Sequence, residues 1–233
     1  MSHRLNEFGQ PIGWTVADWS ARPRPGREPM AGRHCQVLAL DLTRHADDLW
    51  AALCPQGNQA SWTYLPYGPF PDQDAFDQWL SSAALKDDPL FHAIVDQRTG
   101  KAVGIASFLR IDPANGVIEV GHIHFSQSLR RSAAATEAMA LMMARVFDEL
   151  GYRRYEWKCD ALNQPSRAAA ERLGFRFEGI FRQAIVTKGR NRDTAWYSVI
   201  DSDWPALKQR FARWIGPANF DEAGRQRQSL SAL

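Results

Sequence analysis

Two stretches of this chain carry residue types whose spacing suits chemistry. The first is Phe125-Ser126-Gln127-Ser128-Leu129-Arg130-Arg131-Ser132-Ala133-Ala134-Ala135-Thr136-Glu137, where two arginines and a serine precede a run of small side chains. A helix N-terminus presents free N–H groups and the positive end of a dipole, so a phosphate can settle there if the backbone is approachable. Small side chains permit that approach, although Ala-rich helix starts are also common without any ligand. The second stretch runs from Cys159 to Phe175, with Asn163 and Ser166 at a helix entrance. Residues of these types cap helices in any case. A functional reading needs both helix mouths to face one cleft.

The surrounding pattern supplies such a cleft. Phe91–Asp96, Ala102–Ile111 and Val117–Phe125 read as strands joined by the turn signals QRTGK and DPANG, an antiparallel meander. Met139, Met142, Met143, Val146, Phe147 and Leu150 follow helical spacing on one face, with Glu137, Arg145 and Asp148 off it and Gly151 as the stop. Tyr155–Cys159 then reads as a strand parallel to 117–125, completing a βαβ unit. Both helix mouths therefore open at the carboxyl edge of one sheet, where ligands bind in open α/β folds. Earlier, CQVLALDL reads as a strand, with Thr43 capping a first helix and Asp72 or Asp74 a second. FEGIFRQAIV and TAWYSVI form a closing hairpin, and Ser202 or Asp203 caps a last helix.

Other residues have plainer readings. His122 and His124 alternate on one strand, but two imidazoles without an acidic or thiolate companion are a poor metal site, and no metal is expected. Cys159 reads as a small buried hydrophobe. Trp62, Tyr64, Tyr67 and Phe70 lie in SWTYLPYGPF, broken by Pro and Gly, and either line an acceptor pocket or plug the core.

Composition narrows the class. The 233 residues are 45% hydrophobic, enough for a sizeable core, and the net charge of +2 gives no bulk attraction to nucleic acid or to a membrane. Of the 28 cations 23 are arginine, which fits a general codon bias as well as anion recognition. Three separated cysteines without CxxC spacing, no apolar leader and no long apolar run point to a soluble cytoplasmic protein. Residues 1–34 form an Arg/Pro-rich arm packing through Trp14 and Trp19, 35–215 the folded domain, and 216–233 a polar tail expected to fray.

The order of elements and the two stretches resemble the GNAT superfamily of acyl-CoA-dependent N-acyltransferases, most of all the branch of ribosomal-protein N-terminal acetyltransferases. Arg130-Arg131-Ser132-Ala133-Ala134-Ala135 fills that family's pyrophosphate loop, followed by Ala-Thr-Glu-Ala. Asn163, Ser166 and Leu-Gly-Phe at 173–175 match its later segment, and DTAWYS its end. The likeness spans roughly 35–200. Ala133 stands where the family usually has Gly, which would restrict φ and crowd a phosphate. Lys158 and its neighbours occupy the place where some relatives carry a glutamate base.

The resemblance implies an α/β (α+β) fold: a mixed, mostly antiparallel twisted sheet with helices on both faces and a splayed parallel strand pair that binds acyl-CoA. Pantetheine would pair with backbone near His124, Phe125 and Ser126. Pyrophosphate would rest on the amides of Arg131, Ser132, Ala133, Ala134, Ala135 and Thr136, with charge from Arg130 or Arg131. An N–H near Ile123 would stabilise an oxyanion. Ser166 would give the departing thiolate a proton, Asn163 would orient the cofactor or a water, and Glu119 would act as base through water unless it only pairs across the meander.

The expected activity is acetyl transfer from acetyl-CoA to a primary amine, on a small molecule or a peptide or protein N-terminus. A catalytically silent acyl-CoA-binding regulator is the alternative, motivated by Ala133 and the missing base. A nucleic-acid module using ARPRPGR has little support, and a homodimer is left open.

Overall fold

The computed structural model describes residues 4–233. The arm begins with a small hairpin, β1 (Arg4–Leu5) and β2 (Pro11–Ile12), and runs extended to β3 (Met30–Ala31). After β4 (Cys35–Ala39) come α1 (Leu42–Leu53) and α2 (Gln73–Ala84). The meander is β5 (Leu90–Asp96), β6 (Ala102–Asp112) and β7 (Val117–Phe125). Then follow α3 (Ala133–Ala144), β8 (Arg154–Asp160), α4 (Gln164–Arg172), the hairpin β9 (Arg176–Thr187) and β10 (Arg190–Ile200), and α5 (Trp204–Ile215).

Eight strands form one sheet in the order β3-β4-β5-β6-β7-β8-β10-β9. Among the described residues only β7 and β8 pair parallel, because α3 carries the chain back before β8 begins. Alternation of side chains divides the core between the two faces. Leu90 and Ile94 of β5 join the cluster beneath α3, α4 and α5, while Phe91 and Ala93 join the one beneath α1 and α2. On that second face α1 rests on β6 and α2 on β5. Among the described residues no helix is long and apolar enough to cross a membrane.

Several local expectations change. Asp41, not Thr43, caps α1, its carboxylate accepting from Arg44 N–H at 3.1 Å and from the Thr43 hydroxyl at 2.7 Å. Asp72 caps α2 through Ala75 N–H at 2.9 Å. Met139, Met142 and Met143 on α3, and Val146 and Phe147 in the turn that follows it, are buried as their spacing predicts, with Leu150 half-buried, but Glu137 and Arg145 are buried as well. The arm explains both. Glu137 accepts from the backbone N–H groups of Arg33 at 2.8 Å, of His34 and of Cys35 at 2.9 Å, while Arg145 donates to the carbonyls of Glu28 and Pro29. Gly32 makes the approach feasible, since a Cβ there would lie 2.4 Å from the Glu137 carboxyl carbon.

Trp19 anchors the arm, its indole donating to Ala114 O at 2.8 Å, whereas Trp14 stays exposed. The tail does not fray. Asn219 donates to Trp214 O and Gln228 O, Trp214 Nε1 donates to Gln226 at 2.9 Å, and Leu230 is fully buried. One asparagine satisfying several backbone groups holds a segment whose composition alone reads as loose.

Candidate active site

Pairing of β7 with β8 runs from Val117↔Arg154 to Val120↔Trp157 and stops, although the strands continue to Phe125 and Asp160. A bulge accompanies the parting. Ile105 and Ser107 of β6 oppose His124 and Gly121, so β7 carries one extra residue, and His122 sits at φ 52°. Bulges bend the strand that holds them. His122 and Ile123 thus have no register partner on β6 or on β8, leaving backbone groups at the gap.

At the wide end of the gap the chain turns into α3. Ser126 N–H is bound to Val103 O, Leu129 and Arg130 N–H return to Ser126 O, and Arg131 at φ 59° reverses the chain. Ser132 caps the helix, its hydroxyl accepting from Ala135 N–H at 3.1 Å and donating to Leu129 O at 2.6 Å. Its own N–H is bound to Leu129 O. The amides left without a partner among the described residues are those of Arg131, Ala133, Ala134 and Thr136. That is a narrower set than the whole run from Arg131 to Thr136. Ala133 is the first helical residue and does not need positive φ, so its methyl group imposes no backbone strain. Arg130 folds back, its Nε donating to Phe125 O at 2.9 Å.

Across the gap, α4 begins at Asn163, whose side-chain oxygen accepts from Ser166 N–H at 3.2 Å. Asn163 is therefore a cap, and it fixes the first turn that carries Ser166. The Ser166 hydroxyl accepts the Trp157 indole N–H at 3.0 Å. Trp157 is the last β8 residue in register with β7, so Ser166 is tethered to the point where the strands part. Cys159, next on the same face, is buried, and burial pushes its thiol up while a hydrogen bond with Ser166 opposes the shift.

These features coincide with one family. Residues 38–176 match the acetyltransferase (GNAT) domain. The chain belongs to the GNAT acetyltransferase family. A GCN5-related N-acetyltransferase from Brucella melitensis is similar at 50% identity and a TM-score of 0.91, covering 93% of this chain and 98% of that one. A probable GNAT-family acetyltransferase from Chromobacterium violaceum is similar at 39% identity and a TM-score of 0.78, covering 84% and 98%. The putative ribosomal N-acetyltransferase YdaF of Bacillus subtilis is 28% identical over 109 residues, 47% of this chain and 59% of that protein. This chain thus spans about three fifths of that relative's length.

On the other face of this GNAT sheet, the remaining site candidates fall into two groups. Trp62 is core, and Phe70 is half-buried against it. Trp62 is 1% exposed, 4.0 Å from the His124 ring and 5.3 Å from Phe70, which packs on Phe76 and Trp79. Tyr64 is exposed, and its hydroxyl reaches Leu162 O at 3.4 Å, just past β8. Tyr67 OH and His122 Nδ1 lie 3.1 Å apart, and Ser61 holds His124 Nε2 at 3.0 Å. Burial above all, then neighbouring cations, pulls His122 down to about 4 and His124 to about 3. The tip of the β9–β10 hairpin closes on this loop: Lys188 donates to Trp62 O and Gly68 O, and Arg190 to Thr63 O.

Glu119 lies buried at the fork, its oxygens 2.8 Å from Arg110 and 2.9 Å from Lys158. Lys158 also meets Glu156 at 2.7 Å, and Arg154 joins Glu156 to Glu178. A carboxylate gripped by two cations has little freedom to collect an ammonium proton through water. Sequence reasoning overlooked Trp157 and the Lys158–Glu156 pair. Their signal was present: alternation on β8 sends Trp157 toward α4 and Lys158 to the opposite face.

Proposed function

We propose that the protein transfers an acetyl group from acetyl-CoA to a primary amine, by direct attack of the amine on the thioester. The observation that carries this reading is the parted β7–β8 pair opening onto a helix mouth with four unpartnered amides. Those amides and the small side chains of Ala133 and Ala134 suit a pyrophosphate, and the free edge of β7 suits an amide-bearing pantetheine arm. Bound acetyl-CoA supplies an activated acyl group. The protein's own residues do the rest.

The Ser166 hydroxyl, fixed by the Trp157 N–H, relays a proton to the departing sulfur and is refilled by the proton that the attacking nitrogen loses, so amide and free thiol form with no net change in protons. The backbone N–H at Ile123, on the bulge, offers a donor to the carbonyl oxygen. Glu119 is held in ion pairs and serves the fork structurally. An α-amine, with a pKa near 8, is about one tenth neutral at pH 7 and needs a base far less than a lysine does. Peptide or protein N-termini fit that requirement, and the name of the Bacillus subtilis relative points the same way. The silent alternative loses its motive at Ala133, where no glycine conformation is required. Steady-state CoA release across a panel of amines and N-terminal peptides tests the proposal. Tight acetyl-CoA binding without turnover on any of them would contradict it.

A further inference from the structure

Buried polar atoms in folded proteins nearly always find a hydrogen-bond partner. Along β10, three in succession do not. Arg192, Thr194 and Trp196 sit at alternate positions and so leave the same face of the strand, the one shared with Lys158, which opposes Trp196 in register. Arg192 Nε, Thr194 Oγ1 and Trp196 Nε1 are each sealed from solvent, and none has a partner among the described residues. The nearest acids in sequence are engaged elsewhere. Asp193 accepts from Gln183 N–H at 2.7 Å and from Asn191 at 3.0 Å, and Asp160 accepts from Leu162 N–H at 2.9 Å.

The row lies beside the gap. Thr194 opposes Asp160, the last residue of β8, and Arg192 is two residues beyond, where β7 and β8 have already parted. The charge of Arg192 reaches both strands. After burial and with Arg110 and Lys86, it disfavours a charged His122 on β7, and on β8 it opposes the upward push of burial on Cys159. Phe181 stacks on the Trp196 ring at 4.4 Å, and the Lys158 ammonium stands 3.8 Å from the ring centre. Lys158 has its two carboxylates, whereas Arg192 has no counter-ion among the described residues. A partly buried guanidinium without one is a standing demand for an anion.

We propose that Arg192, Thr194 and Trp196 bind the acceptor through an anionic oxygen group, a carboxylate or a phosphate, that it carries besides its amine. The proposal rests on the acetyl-transfer reading and narrows its acceptor class. Trp196 N–H and Thr194 O–H donate to oxygens, and Arg192 neutralises them. A polyamine brings no oxygen to this row and meets Arg192 with like charge.

The test uses the full chain with saturating acetyl-CoA and matched acceptors: a dipeptide with a free carboxylate, its carboxamide, an aminoalkyl phosphate and spermidine. The carboxylate or the phosphate should show a KM about 10- to 100-fold below the carboxamide, the better of the two identifying the anion. Arg192→Gln should erase that advantage while the KM for acetyl-CoA moves less than about twofold. Trp196→Phe, which keeps the stacked ring and removes only the N–H, should erode it partly. Equal KM values for anionic and neutral acceptors, or an unaffected Arg192→Gln variant, overturn the proposal.

Titration of the protein with acetate and with inorganic phosphate, read by tryptophan fluorescence, needs no turnover. Saturable binding that Arg192→Gln abolishes supports the row even if no acetyl transfer is found, and then only the transfer reading falls. Absence of anion binding to the wild type overturns the row.

Discussion

The indole Nε1 of Trp157 donates a hydrogen bond to the Ser166 hydroxyl across 3.0 Å. A serine hydroxyl has one proton and two lone pairs, so a donor feeding one lone pair turns the proton away from itself. Ser166 should therefore act as a proton donor, with Trp157 as its positioning residue. Ser166→Ala is expected to lower kcat about 10- to 1000-fold with a smaller change in acetyl-CoA KM. Trp157→Phe should lower kcat less, by about 3- to 30-fold, while Ser166 remains in place. Steady-state kinetics with varied acetyl-CoA separate the two effects, and an unchanged kcat in Ser166→Ala would remove it from the reaction.

The helix mouth gives a prediction in which binding and stability move apart. Ala133 is the first residue of α3. A carboxylate there faces the positive end of the helix dipole and should leave stability equal or slightly higher. It should also repel a pyrophosphate. Ala133→Glu is expected to weaken CoA binding at least about 10-fold, measured by calorimetry, with the melting temperature of the free protein kept.

Glu119 at the fork is buried against Arg110 and Lys158. Removing one partner of a buried ion pair destabilises strongly, though Lys158 retains Glu156 and Arg110 is half exposed. Glu119→Gln should cost about 2 kcal/mol in urea unfolding. The shape of the pH–rate profile should stay. Loss of its acidic limb would restore Glu119 as the general base.

Acid should loosen the fold through neutral buried histidines. His92 is 1% exposed, both ring nitrogens lack partners among the described residues, and burial, then Arg145, pulls it down to about 4. His122 and His124 are lowered likewise. Unfolded, each titrates near its ordinary value of about 6.5. Below that value the unfolded chain binds protons that the folded chain refuses, so stability is complete above about pH 6.5 and is lost as pH falls toward 4. For His92 alone the loss at pH 5 is about 2 kcal/mol. Unfolding free energies at pH 7 and pH 5 should differ by about that much less in His92→Leu than in the wild type.

Much of this was legible in the chain, where local rules decide. The meander, the βαβ unit and the Ser132 and Asn163 helix entrances follow from period, turn residues and caps. What was not legible depends on segments distant in sequence. Glu137 and Arg145 read as solvent-facing because nothing local shows that the arm, some hundred residues earlier, brings its N–H groups and carbonyls to them. Trp62 carries the same aromatic signal as Tyr64, and only tertiary packing separates core from rim. The parting of β7 from β8 arises at a bulge that no residue type announces, since His122 takes φ 52° where a glycine would be expected.

The melting temperature of the full chain across an acetyl-CoA titration tests the central claim most directly. A ligand that binds only the folded state adds RT ln(1 + [L]/Kd), about 2.7 kcal/mol at a hundredfold excess over Kd. For a chain of this size that is a rise of about 5–10 °C. The expected result is such a saturable rise in the wild type, shifted to higher acetyl-CoA in Ala133→Glu. An unchanged melting temperature at millimolar acetyl-CoA would contradict acetyl-CoA binding between β7 and β8.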